Sequence, residues 1–289
     1  MIRLGAAPLC LLLALPAAGQ TAEEVIAKNI EARGGLARIK AIETVRYTAR
    51  SPIGPQPASV FDETGASRNI TTMILELKRP NLSRSTMLVP GFSQLQYEQA
   101  IQNNMTADTL QSFAAKQGQK QLAAQAQRGD YSWAGASSVS GFDGKTFWMW
   151  SSQQQQVTTR LASELSTGFG FDGPLVDYQA KGFQVELQGK AKKEGKECFK
   201  LRLTSKGGEV STYYIDAKTF LEVAYEGKPK DAPMGVRIVY MDWKPVDGIM
   251  VAHTTVQTTL GIGNRRMTID KVEFNVPIDD ARFAAPRAK

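Results

Sequence analysis

Short stretches in which apolar and polar residues alternate recur along most of this chain and constrain its fold. Phe183, Val185 and Leu187 alternate with polar neighbours, and residues 199–204 repeat the pattern. Asp247-Gly248 is one of the turn signals between such stretches, because glycine, and aspartate at some cost, tolerate the positive φ of tight hairpins. Successive side chains of a strand point to opposite faces, so the pattern predicts antiparallel strands with one apolar and one solvated face.

The strand signal predicts an α+β fold that is mainly β: one large, curled antiparallel sheet with helices packed on its concave side. A curled sheet with too few helices to fill it leaves an apolar cavity. Residues 20–289 form a single domain in this interpretation, because no linker or internal repeat interrupts them. The segments that carry the signal are residues 44–50, 69–78, 82–89, 146–150, 183–188, 199–204, 220–225, 236–243, 249–258 and 266–276.

A helix is predicted at the start of this domain. T-A-E-E is a capping box, in which Thr21 and Glu24 satisfy each other's backbone N–H groups. Val25, Ile26 and Ile30 then form an apolar stripe at helical spacing. The following G-G pair ends the helix, because glycine adopts the left-handed C-cap conformation without a steric penalty. A short second helical turn follows it.

Residues 94–128 interrupt the strands with a segment that is rich in glutamine and alanine, both good helix formers. A thin apolar stripe that includes Leu110, Phe113 and Leu122 predicts one long or broken amphipathic helix inserted between two strands. The alternative is a flexible, partly disordered loop.

The first 19 residues have the three parts of a secretory signal peptide. Arg3 provides the positive region, residues 9–15 the apolar region and residues 16–19 a small-residue cleavage site. The apolar run is too short to span a bilayer. Leu9 precedes Cys10, so we do not expect a lipid anchor, since a lipoprotein signal places its cysteine after a small residue at the cleavage point. We expect cleavage after Gly19 and export of a soluble chain.

Charge and chemistry exclude several classes of function. The net charge of +7 is scattered and accompanies no nucleic-acid motif, so we expect no nucleic-acid partner. His253 is the single histidine, which argues against a His-based metal site or a catalytic triad, and we expect it to be half-buried. Residues 168–173 match G-x-G-x-x-G but lack the strand–turn–helix context of a dinucleotide site. Cys198 has no evident role and is expected to be partly exposed. We predict a non-enzymatic protein without cofactor or metal.

A tryptophan-rich hairpin is the first candidate for a binding surface. The turn signal Asp143-Gly144 precedes T-F-W-M-W, which places Trp148 and Trp150 on one face of one strand. Their aromatic area is buried either against the core of the protein or against a ligand.

Arg79 is unusual because it follows the apolar positions of its strand. Its spacing matches Met73, Leu75 and Leu77, so its guanidinium points to the concave side if the strand continues that far. A buried arginine must be paired or must donate to carbonyl groups. If the chain instead kinks at Pro80, Arg79 reaches water.

Several motifs together resemble the periplasmic carriers of outer-membrane lipoproteins, the LolA-like family. They are K-R-P-N-L at residues 78–82, D-G-K-T-F-W at 143–148, Q-V at 156–157, I-D-D-A-R-F at 278–283 with the later Pro286, and the G-G-L opening at 34–36. The resemblance touches most of the chain after the signal peptide, and the order of the motifs is more specific than any one of them.

The resemblance implies a half-open β-barrel of the LolA and LppX type, capped by helices, whose apolar cavity takes acyl chains in the periplasm. Arg79 would correspond to the arginine that hydrogen-bonds the lid and holds it closed without ligand. The residues that it implies for ligand binding are Arg79, Leu75, Leu77, Met87, Trp148 and Trp150. An inner-membrane donor and an outer-membrane acceptor would be the protein partners of a monomeric carrier.

Two departures from the family pattern bear on these partners. Residues 94–128 separate motifs that lie close together in the carriers, and they would form an extra lid or fill the mouth of the cavity. Ser83 also stands where well-studied carriers have an aromatic residue that is linked to partner docking.

The sequence thus favours a periplasmic carrier of acylated lipoproteins or other lipids. The alternative is an envelope sensor on the same fold that binds a protein partner, with residues 94–128 as the contact element. A hydrolase would require carboxylate chemistry that the motifs do not indicate.

Overall fold

A single antiparallel sheet of 13 strands dominates the computed structural model of this protein. The structure describes residues 20–52, 70–88, 136–151, 157–161, 172–228, 235–259 and 263–285. The predicted signal peptide (1–19), the inserted segment (94–128) and most of the G-x-G-x-x-G match lie outside these residues.

The elements follow in chain order. The helices are α1 (Ala22–Ala32) and α2 (Leu36–Lys40), with a C-terminal 3₁₀ helix at Asp280–Phe283. The strands are β1 (Thr44–Pro52), β2 (Ile70–Lys78), β3 (Leu82–Leu88), β4 (Ala136–Phe142), β5 (Thr146–Ser151), β6 (Val157–Leu161), β7 (Gln184–Lys193), β8 (Lys196–Thr204), β9 (Val210–Asp216), β10 (Glu222–Gly227), β11 (Val236–Val246), β12 (Ile249–Thr259) and β13 (Gly263–Phe274).

The sheet consists of two meanders joined through the first and last strands. Its order is β6-β5-β4-β3-β2-β1-β13-β12-β11-β10-β9-β8-β7, with β1 antiparallel to β13. Register shifts interrupt four of the strand pairs, and such bulges bend a sheet and increase its twist. The sheet is curled and open, so the predicted half-barrel with few helices is confirmed.

The strand register assigns each side chain to one of two faces. Tyr47 lies opposite Leu75, which lies opposite Ser85, and this row belongs to the concave face that the helices cover. Arg46 and Glu76 form the adjacent row, which points to the outer face.

Helix α1 packs against one end of the concave face. The predicted capping box is present: Thr21 Oγ1 accepts from the Glu24 N–H, and Glu24 Oε2 accepts from the Thr21 N–H. Val25 and Ile26 are buried in a cluster with residues of β8 and β9, among them Leu201. Burial of each such side chain stabilises the fold by roughly 1.5–3 kcal/mol.

Helix α2 packs over the centre of the sheet. Ile39 and Ile42 are buried in a cluster with Val45 of β1. The turn between the two helices needs glycine, because Gly34 has a φ of +122° and a Cβ there would lie 2.4 Å from the Gly248 carbonyl oxygen. The close approach brings the helix pair against the β11–β12 hairpin.

Two strands and one burial state differ from the sequence analysis. The sequence pattern did not predict β4, because the serine-rich sequence A-S-S-V-S-G-F of this strand has low strand propensity. Strand β9 was not predicted either. Cys198 is buried, not partly exposed, because it packs with Tyr214 and Val223 on the outer face. His253 is half-buried, as expected. In the described part of the chain, no helix is long and apolar enough to cross a membrane.

Candidate ligand cavity

A cavity of about 300 Å³ lies between the concave face of the sheet and the elements that cover it. Its floor comes from β1, β2 and β9–β13. Its roof comes from residues 36–42, which contain α2, and from residues 172–176, and we call these two segments the cover. This volume is at the lower end of the range for small-molecule sites.

Most of the cavity wall is apolar. The side chains that form it come from strands that are adjacent in the sheet, so one continuous surface results. The residues are Ala49, Met73, Leu75, Val251, Met267, Ile269 and Phe274 from the floor, with Ile39, Ile42 and Leu175 from the cover.

One part of the wall is polar. Arg33, the C-cap residue of α1, and Glu222, the first residue of β10, both line the cavity. Arg33 Nη1 lies 3.6 Å from Glu222 Oε1, and the two side chains are 14% and 9% exposed. Met250 donates its N–H to the Arg33 carbonyl group, which holds this end of α1 on β12.

Three tyrosines join the polar part of the wall: Tyr47, Tyr213 and Tyr240. Burial raises the pKa of each hydroxyl, and the nearby Glu222 carboxylate raises the pKa of Tyr213 and Tyr240 further. The Arg33 guanidinium partly offsets the rise in all three pKa values. All three phenols therefore remain protonated at neutral pH.

Arg79 connects the floor to both segments of the cover. Its Nε and Nη2 donate to the carbonyl oxygens of Ile42 and Ile39, at 2.7 and 3.0 Å. These carbonyls lie at the C-terminal end of α2, where the helix leaves acceptors unsatisfied and favours positive charge. Nη1 donates to Asp172 Oδ2 at 3.2 Å. Of the two orientations that the sequence leaves open, the structure has the inward one.

Asp172, the first residue of the second cover segment, bonds to three basic side chains. Its side chain is 7% exposed and pairs with Lys181 Nζ at 3.1 Å as well as with Arg79. Its backbone carbonyl accepts from Arg33 Nη1 at 3.0 Å. One residue thus ties the cover to β2 and to α1.

The other aliphatic candidates from the sequence lie on the concave face. Leu75 lines the cavity. Leu77 is on the same face and packs against the cluster under α2. Met87 pairs with Met73 across β2 and β3, so it continues the same face beyond the cavity wall.

The tryptophans are placed on the other face. Trp148 lies opposite Gly141, which lies opposite Arg84 and so belongs to the row of Glu76 on the outer face. Trp148 is fully buried, and its Nε1 donates to the Phe283 carbonyl oxygen at 2.7 Å. Trp150, two positions on, shares this face and is also buried. The structure therefore does not bring these indoles to the cavity wall that the resemblance implies.

Sequence reasoning missed Arg33, Glu222 and Asp172. Glu222 belongs to a segment whose alternation is broken by a register shift after it, so Glu222, Val223 and Ala224 are all buried. Arg33 precedes the glycine pair of a helix end, where a basic residue is common at the surface. No local pattern connects residues from opposite ends of the chain.

No metal centre is evident in the part of the chain that the structure describes. None of its histidine, cysteine, aspartate and glutamate side chains form a group of three that could hold an ion. Cys198 is a buried free thiol, and burial raises its pKa.

No protein-family model and no curated protein matches the sequence. Solved structures do share the fold. A DUF1329 family protein from Desulfovibrio piger aligns with a TM-score of 0.52 and 11% identity over 90% of this chain and 95% of that one. A LolA superfamily protein from Nitrosomonas europaea aligns with a TM-score of 0.51 and 12% identity over 92% and 99%. The fold is thus the one found in the LolA superfamily.

Proposed function

We propose that this protein is a periplasmic, non-enzymatic carrier that holds the acyl chain of a lipoprotein or another lipid in its cavity. The observation that carries the proposal is the apolar cavity of about 300 Å³ between the sheet and a cover that Arg79 fastens. The predicted signal peptide supports the location. Transfer from an inner-membrane donor to an outer-membrane acceptor belongs to the same proposal.

Burial of a chain in this cavity provides enough free energy for capture. A methylene group occupies about the volume of a liquid water molecule, roughly 30 Å³, so the cavity admits roughly ten chain carbons. At about 0.8 kcal/mol per buried methylene, ten carbons provide roughly 8 kcal/mol before the cost of association. A carrier of this kind needs no catalytic group.

The arrangement of the cover suggests how a chain enters and leaves. Arg79 holds the cover through hydrogen bonds, and the buried contacts of Ile39, Ile42 and Leu175 are all apolar. An incoming chain offers the same kind of apolar contact, so it replaces these contacts at little cost. Opening then requires that the donors of Arg79, and the Arg33 guanidinium that donates to the Asp172 carbonyl group, exchange their acceptors for water.

Two measurements test the proposal. Protein purified from its periplasmic extract is analysed by lipid mass spectrometry, and the emptied protein is titrated with the neutral fluorophore N-phenylnaphthylamine. We expect copurified acyl lipid and saturable uptake of the probe. Consistently empty protein that takes up no probe contradicts the carrier function.

A cavity-filling variant locates the binding site. Leu75→Trp places an indole where the chain would lie, so uptake should be lost. Met149→Trp is the matched control, because Met149 is 42% exposed on the same face of the sheet and does not line the cavity. Equal uptake by the two variants would place the bound probe elsewhere.

A further inference from the structure

The polar part of the cavity wall contains charged groups whose hydrogen bonding is incomplete. Arg33 Nε and Glu222 Oε2 are buried, and neither has a hydrogen-bond partner among the described residues. Glu222 is more than nine-tenths buried. Its Oε1 atom is 3.6 Å from Arg33, which is an ion pair without a short hydrogen bond.

Leaving such groups unsatisfied is costly. A buried polar group without a partner loses its hydration and gains nothing in exchange, which costs about 1–3 kcal/mol and more for a charged group. Native proteins rarely retain these groups without a reason. Both residues line the cavity, so a bound molecule can satisfy the donor and the acceptor once the two side chains turn toward it.

The three tyrosines extend this hydrogen-bonding surface. Within the described structure the hydroxyls of Tyr47, Tyr213 and Tyr240 make no hydrogen bond to protein, although all three residues line the cavity. A phenol hydroxyl both donates and accepts. Together with Arg33 and Glu222, they form what we call the polar cluster.

We propose that the polar cluster recognises an uncharged group of the bound lipid that both donates and accepts hydrogen bonds, namely a hydroxyl or an amide attached to the acyl chain. This inference rests on the proposed carrier function and names the ligand class of the same cavity. The group accepts from Arg33 Nε and donates to Glu222 Oε2, while the apolar wall takes the chain.

The charges of the cluster disfavour ionised ligands. Arg33 and Glu222 sum to zero, so a further buried charge would lack a counterion. A ligand carboxylate is attracted by Arg33 but repelled by Glu222. A ligand ammonium group is attracted by Glu222 but repelled by Arg33. An uncharged donor and acceptor satisfies both partners without adding charge.

A series of ten-carbon ligands tests the inference. Decanol, decanamide, decanoate, decylammonium and decane compete with the neutral fluorophore N-phenylnaphthylamine for the emptied protein at about pH 7, where both ionisable ligands are charged. We expect decanol and decanamide to bind at least about tenfold more tightly than the two ions and than decane. Equal affinities, or tighter binding of either ion, overturn the inference.

Two variants assign the effect to the cluster. Glu222→Gln makes the cluster net positive, so the preference for decanol over decanoate should fall at least about tenfold. Tyr240→Phe keeps the ring and removes a hydroxyl, so it should weaken the binding of decanol without weakening the binding of decane. Tyr225→Phe is the control, because Tyr225 contacts Tyr213 but does not line the cavity. A decanol preference that survives both cluster variants contradicts the inference.

The outcomes separate this inference from the carrier function. If every ligand including decane binds with the same affinity, the cavity takes chains but the polar cluster does not select among them, and only the inference fails. If no ligand displaces the fluorophore, both fail. The purified variants are first compared by circular dichroism, so that loss of folding is distinguished from loss of recognition.

Discussion

Arg79 Nη1 and Asp172 Oδ2 form an ion pair of 3.2 Å between residues that are 93 positions apart. The pair joins the end of β2 to the first residue of the second cover segment. The same guanidinium donates to two carbonyls at the end of α2, so one side chain holds both parts of the cover. A single substitution therefore removes polar contacts to both cover segments.

Arg79→Leu should affect ligand release more than folding. The variant loses three hydrogen bonds to the cover, and the probe should dissociate at least about tenfold faster in stopped-flow measurements. The free energy of unfolding should fall by only about 1–3 kcal/mol, because the side chain is partly exposed and water replaces some of these bonds.

Arg50→Leu is the matched control for the loss of an arginine. Arg50 pairs with Asp270 on the outer face, and its side chain is 53% exposed. Its removal should change stability by at most about 1 kcal/mol and leave dissociation unchanged. If Arg79→Leu releases the probe at the rate of Arg50→Leu, Arg79 is not a latch.

Gly141→Ala should destabilise the fold without affecting the cavity. A Cβ at this position would lie 2.6 Å from the indole of Trp148, so the ring or the backbone must move. Such overpacking costs about 1–3 kcal/mol, which urea denaturation would measure. In the control Gly207→Ala the nearest atom is 3.7 Å away. A stable variant with weakened probe binding would mean that Trp148 serves the cavity.

The strands were predictable because their signal is local. Alternation in residues 183–188 and 199–204 follows from the pleat of a strand and one apolar face, and both segments lie in strands, although β7 extends to Lys193 and β8 begins at Lys196. The helix start at Thr21 was predictable for the same reason, since a capping box lies within four residues.

The faces of the sheet were not predictable from the same signal. Alternation shows that Trp148 and Trp150 share a face, but only pairing through β4, β3 and β2 shows which one. The orientation of the Arg79 side chain likewise depends on carbonyl groups at the end of α2. The orientation of the Arg33 side chain depends on its ion pair with Glu222. These contacts arise from the tertiary fold, so they leave no local pattern.

Asp216→Asn should change how the free energy of unfolding depends on pH in the acidic range. Burial alone would raise the pKa of Asp216, but the N–H groups of Lys218 and Thr219 and the Lys196 ammonium outweigh it and lower this pKa. Its charge therefore stabilises the fold above the unfolded value of 3.8, and this contribution is lost as the pH falls through the lower folded value. The stability difference between wild type and variant should be largest near neutral pH.

Urea denaturation at a series of pH values measures this difference. Asp177→Asn removes one exposed carboxylate and is the matched control for charge. If the stability of Asp216→Asn runs parallel to that of the wild type at every pH below about 5, the carboxylate makes no pH-dependent contribution.

Glu76→Gln should release the C-terminal segment from the outer face. Glu76 is 1% exposed, and Arg46 and Arg282 each donate two hydrogen bonds to it. Glutamine leaves the half-buried guanidinium groups of Arg46 and Arg282 without a countercharge, so stability should fall by about 1–3 kcal/mol. Hydrogen exchange should rise in residues 278–285, while ligand affinity stays unchanged because the cavity lies on the other face. Glu186→Gln is the control, because Glu186 belongs to an exposed ion pair, and it should have little effect on stability. Equal losses of stability in the two variants would show that Glu76 does not anchor this segment.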